Sequence, residues 1–82
     1  MNRNYVLWNL QEATHDLARM VDEMKADADY LESDLLIAMH HVYHHLNTAW
    51  NARNASDERA KECNGWDFNQ WRQFPRDIPM DA

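Results

Sequence analysis

Apolar residues, with one histidine among them, recur every three or four positions along the first 52 residues of this chain. The first run consists of Val6, Leu10, Ala13, Leu17, Met20 and Met24. The second run consists of Leu31, Leu35, Ala38, Val42, His45, Ala49 and Ala52. This spacing follows the 3.6-residue period of a helix and predicts two amphipathic helices. Residues 1–63 contain neither Gly nor Pro, the two strongest helix breakers, so both helices can be long.

The acidic segment at residues 25–29 (KADAD) is typical of a turn. Asp29 followed by Glu32 forms an acidic variant of a capping box. We therefore expect helices over residues 4–26 and 30–54, packed as an antiparallel hairpin in which residue n lies beside residue 56 − n. Ser56, followed by two acids, indicates a short third helix that ends near Cys63, although one long helix reaching Cys63 is the alternative.

The last part of the chain, residues 64–82, is rich in aromatic residues and contains Pro75 and Pro79. Because proline fixes the backbone, we expect an extended tail that folds over the open end of the hairpin (residues 1–63) within a single domain. The expected aromatic cluster comprises Tyr5, Trp8, Trp50, Trp66 and Trp71. Use of the tail as a docking motif for another protein is the alternative.

Residues 35–52 (LLIAMHHVYHHLNTAWNA) contain no charged side chain. A helix that is uncharged all round is usually surrounded by neighbours, and an 82-residue chain can hardly provide them. The pattern therefore predicts an all-α homo-oligomer, most simply a homodimer that forms a four-helix bundle. The expected interface residues are Leu36, Ile37, His40, Tyr43, His44 and Asn47. Histidines at such an interface would weaken the oligomer below about pH 6.

Charge and cysteine content exclude several classes of protein. The formal net charge is −6 and the eight Lys and Arg residues form no cluster, so we expect no nucleic-acid binding. A single cysteine, Cys63, excludes an internal disulfide. The N-terminus does not resemble a signal peptide, and residues 35–52 are too polar to span a membrane. We therefore expect a soluble cytoplasmic protein without membrane contact.

The histidines suggest one metal site. His41 and His45 are spaced i, i+4, which lets two imidazoles on one helix face bind a common ion. Glu12 and His15 form a Glu-x-x-His segment at the same height of the other helix. The helical phase opposes this site, because Glu12 and His15 share a face with charged residues. We expect no cofactor, with a transition metal bound by these four residues as the alternative.

Catalytic signatures are weak in this sequence. Cys63 has no neighbouring histidine, and no glycine-rich phosphate loop or serine nucleophile motif is present. We leave enzymatic activity open but do not expect it. The predicted function is that of a small interaction or regulatory module that acts through a self-associating helical surface, with another protein as a further partner. The alternative is a helical bundle that binds a transition metal.

Overall fold

A computed structural model describes residues 1–79 and 81, and it is all-helical in that part of the chain. Its four helices are α1 (Arg3–Ala26), α2 (Glu32–Asn51), α3 (Asp57–Glu62) and α4 (Gly65–Trp71). The two long helices pack against each other, and the backbone N–H of Asn2 bonds to the carbonyl of Arg53, which shows that they run antiparallel. The predicted all-α class and the pair of long packed helices are confirmed.

Polar side chains mark where each helix begins. The side chains of Asn2, Ser56 and Asn64 accept hydrogen bonds from backbone N–H groups in the first turns of α1, α3 and α4. At α2 the carboxylate of Asp34 accepts from the N–H of Leu31 at 2.9 Å, so this helix begins two residues later than the predicted Tyr30. The break after α2 and the short third helix are both present.

The seam between α1 and α2 agrees with the sequence better on α2 than on α1. On α2 the predicted positions Val42, Ala49 and Ala52 are buried, whereas the predicted Leu31 precedes the helix and is exposed. On α1, Ala13 and Met20 are buried as expected, whereas the predicted seam residues Leu10, Leu17 and Met24 are exposed.

Two polar residues of α1 occupy the seam instead of these large apolar ones. Asn9 is 1% exposed and Asp16 is half-buried, and both lie beside His45 of α2. A seam histidine needs polar partners, because a buried imidazole without a hydrogen bond is costly. This requirement turns α1 so that its most hydrophobic stripe faces outward.

The prediction of a tail that is extended throughout is wrong. Residues 65–71 form α4, whose N-terminus is capped by Asn64, and the chain is non-helical only after it. Cys63 adopts a left-handed conformation (φ 37°), which produces the sharp turn between α3 and α4. The guanidinium of Arg59 then donates to the buried carboxylate of Asp67 at 2.6 Å and links the two short helices.

Two asparagines of α2 hold the end of α4. The amide of Asn47 donates to the carbonyl of Arg72 at 2.8 Å, and that of Asn51 donates to the carbonyls of Trp71 and Gln73 at 2.9 and 2.7 Å. These carbonyl groups belong to the last residue of α4, to its C-cap Arg72 and to the residue that follows, where the backbone carbonyls have no N–H partners within the helix. The tail is therefore fixed to one side of the hairpin near its open end.

Candidate functional site

The most unusual feature of the described chain is an apolar surface that the chain itself leaves uncovered. On α1 it consists of Leu7, Leu10, Thr14, Leu17, Val21 and Met24, and on α2 of Leu36, Met39, Tyr43, Leu46 and Trp50. We call this surface the open layer. Its nine large hydrophobic side chains other than Met39 are between 36% and 58% exposed.

Both halves of the open layer lie on the same side of the hairpin. Successive residues of a helix are turned by about 100° around its axis. On each helix the stripe of the open layer therefore lies about 100° around the axis from the side that faces the seam. The direction of this rotation is the same for both helices when each is viewed from its own N-terminus. Because the helices are antiparallel, equal rotations bring both stripes to one side. α4 lies on the other side, where the ring of Trp71 meets Tyr5 at 6.2 Å and Phe68 meets His44 at 5.1 Å.

The spacing within the open layer is that of a helical bundle. Steps of three and four residues alternate along both stripes, which is the a/d pattern of helices that pack side by side at a small angle. Each helix therefore has two stripes with the spacing of a buried helix face. One stripe packs in the seam between α1 and α2, and the other is left uncovered. None of the eleven residues in the layer is Asp, Glu, Lys, Arg or His.

The tail touches the open layer at one corner. The indole N–H of Trp50 donates to the carboxylate of Asp77 at 2.8 Å, and this bond is the main reason why the pKa of Asp77 lies below its usual value. The guanidinium of Arg53 lies 3.9 Å from the centre of the Trp50 ring. These contacts fix the orientation of Trp50. They form the edge of the open layer near the open end of the hairpin.

The residues predicted as interface from the sequence divide into three groups. Leu36 and Tyr43 belong to the open layer, whereas Ile37 lies on the opposite side and His40 points away from the seam. Residues of the tail cover the last two, His44 and Asn47, in part or in full.

The predicted aromatic cluster is only partly assembled. Tyr5 stacks on Trp8 with ring centres 6.4 Å apart and meets Trp71 edge-on. Trp50 lies on the other side of the hairpin, in the open layer. Trp66 is 71% exposed and lies outside the contacts among Tyr5, Trp8 and Trp71.

Among the candidate metal ligands, His45 is held in place by a chain of two hydrogen bonds. The amide nitrogen of Asn9 donates to the carbonyl of Tyr5 at 3.1 Å, which directs the amide oxygen of Asn9 towards Nδ1 of His45, also at 3.1 Å. In the neutral imidazole Nδ1 then carries the proton, which leaves the lone pair on Nε2. That lone pair faces the Oδ2 atom of Asp16 at 4.0 Å.

The Oδ2 atom of Asp16 is buried without a hydrogen-bond partner, while Oδ1 accepts from Arg19 at 3.1 Å. When the imidazole is neutral, two electron-pair donors, His45 Nε2 and Asp16 Oδ2, therefore face each other. The other predicted ligands do not complete a site: His15 and His41 are exposed and Glu12 is half-buried. Among residues 1–79 and 81, no three His, Cys, Asp or Glu side chains lie close enough to hold a metal ion.

His44 lies beside these groups on the side of α4. Its pKa is lowered chiefly by burial, and the neighbouring His45, Arg72 and His41 add to this shift because a second positive charge is unfavourable there. The uncharged form of His44 is therefore favoured, with its ring packed on Phe68.

Comparison with known proteins gives no relative for this chain. No protein-family model matches it, and neither a curated protein nor a solved structure shows a significant resemblance. In the described part of the chain, no helix combines the length and the hydropathy needed to cross a membrane.

Proposed function

We propose that this protein is a small interaction or regulatory module that acts by self-association through the open layer. The observation that supports this function is the apolar layer itself, which runs along both long helices and contains no charged side chain. The lone cysteine suits a reducing compartment, and we place the activity in the cytoplasm.

The size of the open layer favours a protein partner. From the exposed fractions of its side chains we estimate about 700 Å² of accessible apolar surface. The largest apolar patch of a typical monomer is roughly 300–600 Å². A stable interface buries about 600–1,000 Å² from each partner, and the area of the open layer lies within this range.

Two adjacent residues of α2 provide a matched test. Leu36 is 58% exposed and belongs to the open layer, whereas Ile37 is 61% exposed and lies on the opposite side. Both can be replaced by glutamate with little effect on the folded monomer, since neither is buried. We expect Leu36→Glu to dissociate the assembly, because it places a charge within an apolar contact.

Light scattering coupled to gel filtration measures the mass of both variants. If the open layer is the interface, we expect Leu36→Glu to have the mass of one chain and Ile37→Glu to keep the mass of the wild type. Equal behaviour of the two variants, or dissociation by Ile37→Glu alone, would contradict an interface at the open layer. Circular dichroism confirms that both variants retain their helices.

A second candidate function, binding of a transition metal, is favoured by one observation. His45 Nε2 lies 4.0 Å from Asp16 Oδ2, which has no hydrogen-bond partner. Asn9 fixes the imidazole through its other nitrogen, Nδ1, as hydrogen-bonded partners of metal-ligating histidines do. Two protein ligands leave the other positions to solvent or to further donors. The test is elemental mass spectrometry of the untreated, tag-free protein, with His45→Asn as the control variant.

Near-stoichiometric content of one metal in the wild type, lost in His45→Asn, would establish this second function. Trace amounts in both proteins would exclude it.

A further inference from the structure

We infer that the open layer is covered by a second copy of the chain in one orientation, with a two-fold axis through Thr14 and Tyr43, so that the two hairpins point in opposite directions. This inference rests on the proposed self-association and adds its geometry. Three observations carry it: the ladder of residue pairs in the layer, the symmetry of that ladder about its middle, and the charge at the two ends of the hairpin.

All residues of the open layer except Met24, which lies beyond the last pair, form a ladder of five rungs across the hairpin. The antiparallel pairing of residue n with residue 56 − n, with which the Asn2–Arg53 bond agrees to within one residue, places the two members of each rung at about the same height. The rungs are Leu7–Trp50, Leu10–Leu46, Thr14–Tyr43, Leu17–Met39 and Val21–Leu36. The central rung is the only one with hydroxyl groups, and two rungs of large apolar residues lie on either side of it.

This ladder is symmetric about its central rung. A two-fold axis through Thr14 and Tyr43, perpendicular to the helices, turns the partner upside down and lays α1 on α1 and α2 on α2. Leu7 then faces the partner's Val21, and Leu10 faces the partner's Leu17. On α2, Trp50 faces the partner's Leu36, and Leu46 faces the partner's Met39.

The central contacts also suit this axis. Thr14 meets the partner's Thr14, and Tyr43 meets the partner's Tyr43, so hydroxyl groups face hydroxyl groups and apolar rungs face apolar rungs. Each side chain thus meets a compatible one, so the surface is complementary to itself, as a two-fold interface requires. Neighbouring helices are antiparallel throughout, as in a four-helix bundle.

A two-fold axis parallel to the helices also matches apolar rungs to apolar rungs, and charge decides between the two arrangements. The closed end of the hairpin, residues 22–34, carries six acids and one base. The open end, residues 1–8 and 50–79, carries six bases and five acids. The hairpin is therefore strongly negative at one end only.

The parallel arrangement would place the two acidic ends side by side. Facing helices lie about 8–10 Å apart, close to the screening length of about 8 Å at physiological salt, so this repulsion would be only partly screened. The opposed arrangement places each acidic end beside the nearly neutral open end of the partner. Charge therefore favours opposed hairpins.

Single cysteines in a Cys63→Ser background test the orientation. Thr14→Cys changes the side-chain volume little and places two thiols opposite each other across the proposed axis. We expect it to form a disulfide-linked dimer quantitatively under mild oxidation, as seen on a non-reducing gel. Leu7→Cys is the control, because the axis separates its two copies by about 14 residues of helix, or roughly 20 Å.

The parallel arrangement gives a different pattern, in which Thr14 faces the partner's Tyr43. Thr14→Cys alone would then stay unlinked, and only a mixture with Tyr43→Cys would form a cross-link. That result, or equal cross-linking of Thr14→Cys and Leu7→Cys, would overturn the proposed orientation while leaving self-association intact. A reduced protein with the mass of a single chain would overturn both the orientation and the proposed function.

Discussion

Replacement of Leu17 by alanine tests the energetic contribution of the open layer. Leu17 lies on α1, is 45% exposed and faces the partner's Leu10 in the proposed dimer. Truncation removes about 70 Å² of apolar surface that a second copy would bury, which is worth about 1.7 kcal/mol at 25 cal/mol per Å². The symmetric dimer contains this change twice, so we expect a loss of about 3.5 kcal/mol and an increase in Kd of about 300-fold.

Sedimentation equilibrium over a range of concentrations measures this Kd for the wild type and the variant. Ile37→Ala is the matched control, because Ile37 is exposed on the opposite side of the hairpin and its truncation should leave Kd unchanged. A Kd of Leu17→Ala within about threefold of the wild-type Kd would refute this reasoning, since the buried area predicts a far larger increase.

Three further outcomes follow from the contacts. The open layer contains no histidine, so the dimer Kd should not rise between about pH 8 and pH 5.5; dissociation on acidification would favour the histidine-lined interface expected from the sequence. The pKa of His44 is lowered in the folded state, so its stabilising contribution is present above the unfolded value of about 6.5 and is lost as pH falls below it. Urea unfolding of His44→Gln should accordingly show a smaller loss of stability on acidification than the wild type, and equal losses would contradict the role of His44. Asn51→Ala should lower the free energy of unfolding by about 1–2 kcal/mol. Asn51→Asp should lower it by more, because a carboxylate cannot donate to the carbonyls of Trp71 and Gln73. An unchanged free energy of unfolding in Asn51→Asp would argue against these bonds.

The sequence was sufficient for the helical hairpin, since long periodic runs without Gly or Pro leave few alternatives. Both helices carry two stripes with a/d spacing that run side by side, so periodicity alone could not decide which stripe forms the seam. The choice was right for most of α2 and wrong for Leu10, Leu17 and Met24 of α1. Hydrophobicity ranks Leu10 and Leu17 above Asn9 and Asp16, whereas the seam requires partners for the histidine of the opposite helix.

The tail was harder to predict for a different reason. Pro75 and Pro79 indicate an irregular chain, but they say little about residues 65–71, which lie before them. The Asn64 cap and the carbonyl contacts of Asn47 and Asn51 stabilise α4 there. Those amide contacts span 20 residues or more of sequence, and no local pattern reveals them.

The candidate site was partly visible in the sequence. Self-association was expected from the charge-free stretch of α2, and it remains a prediction. The face was assigned from α2 alone, which placed Ile37 and the histidines at the interface. The α1 half of the open layer could have been found from the alternating spacing of Leu7, Leu10, Leu17, Val21 and Met24.

The mass of the wild-type protein in solution tests the central claim most directly. Gel filtration with light scattering, repeated from about 1 to 100 µM at neutral pH, covers concentrations at or above the dissociation constants, from µM to pM, of interfaces of this area. We predict a mass twice the 9.8 kDa of one chain at the upper concentrations. A mass of 9.8 kDa throughout this range would contradict the claim that a second copy covers the open layer.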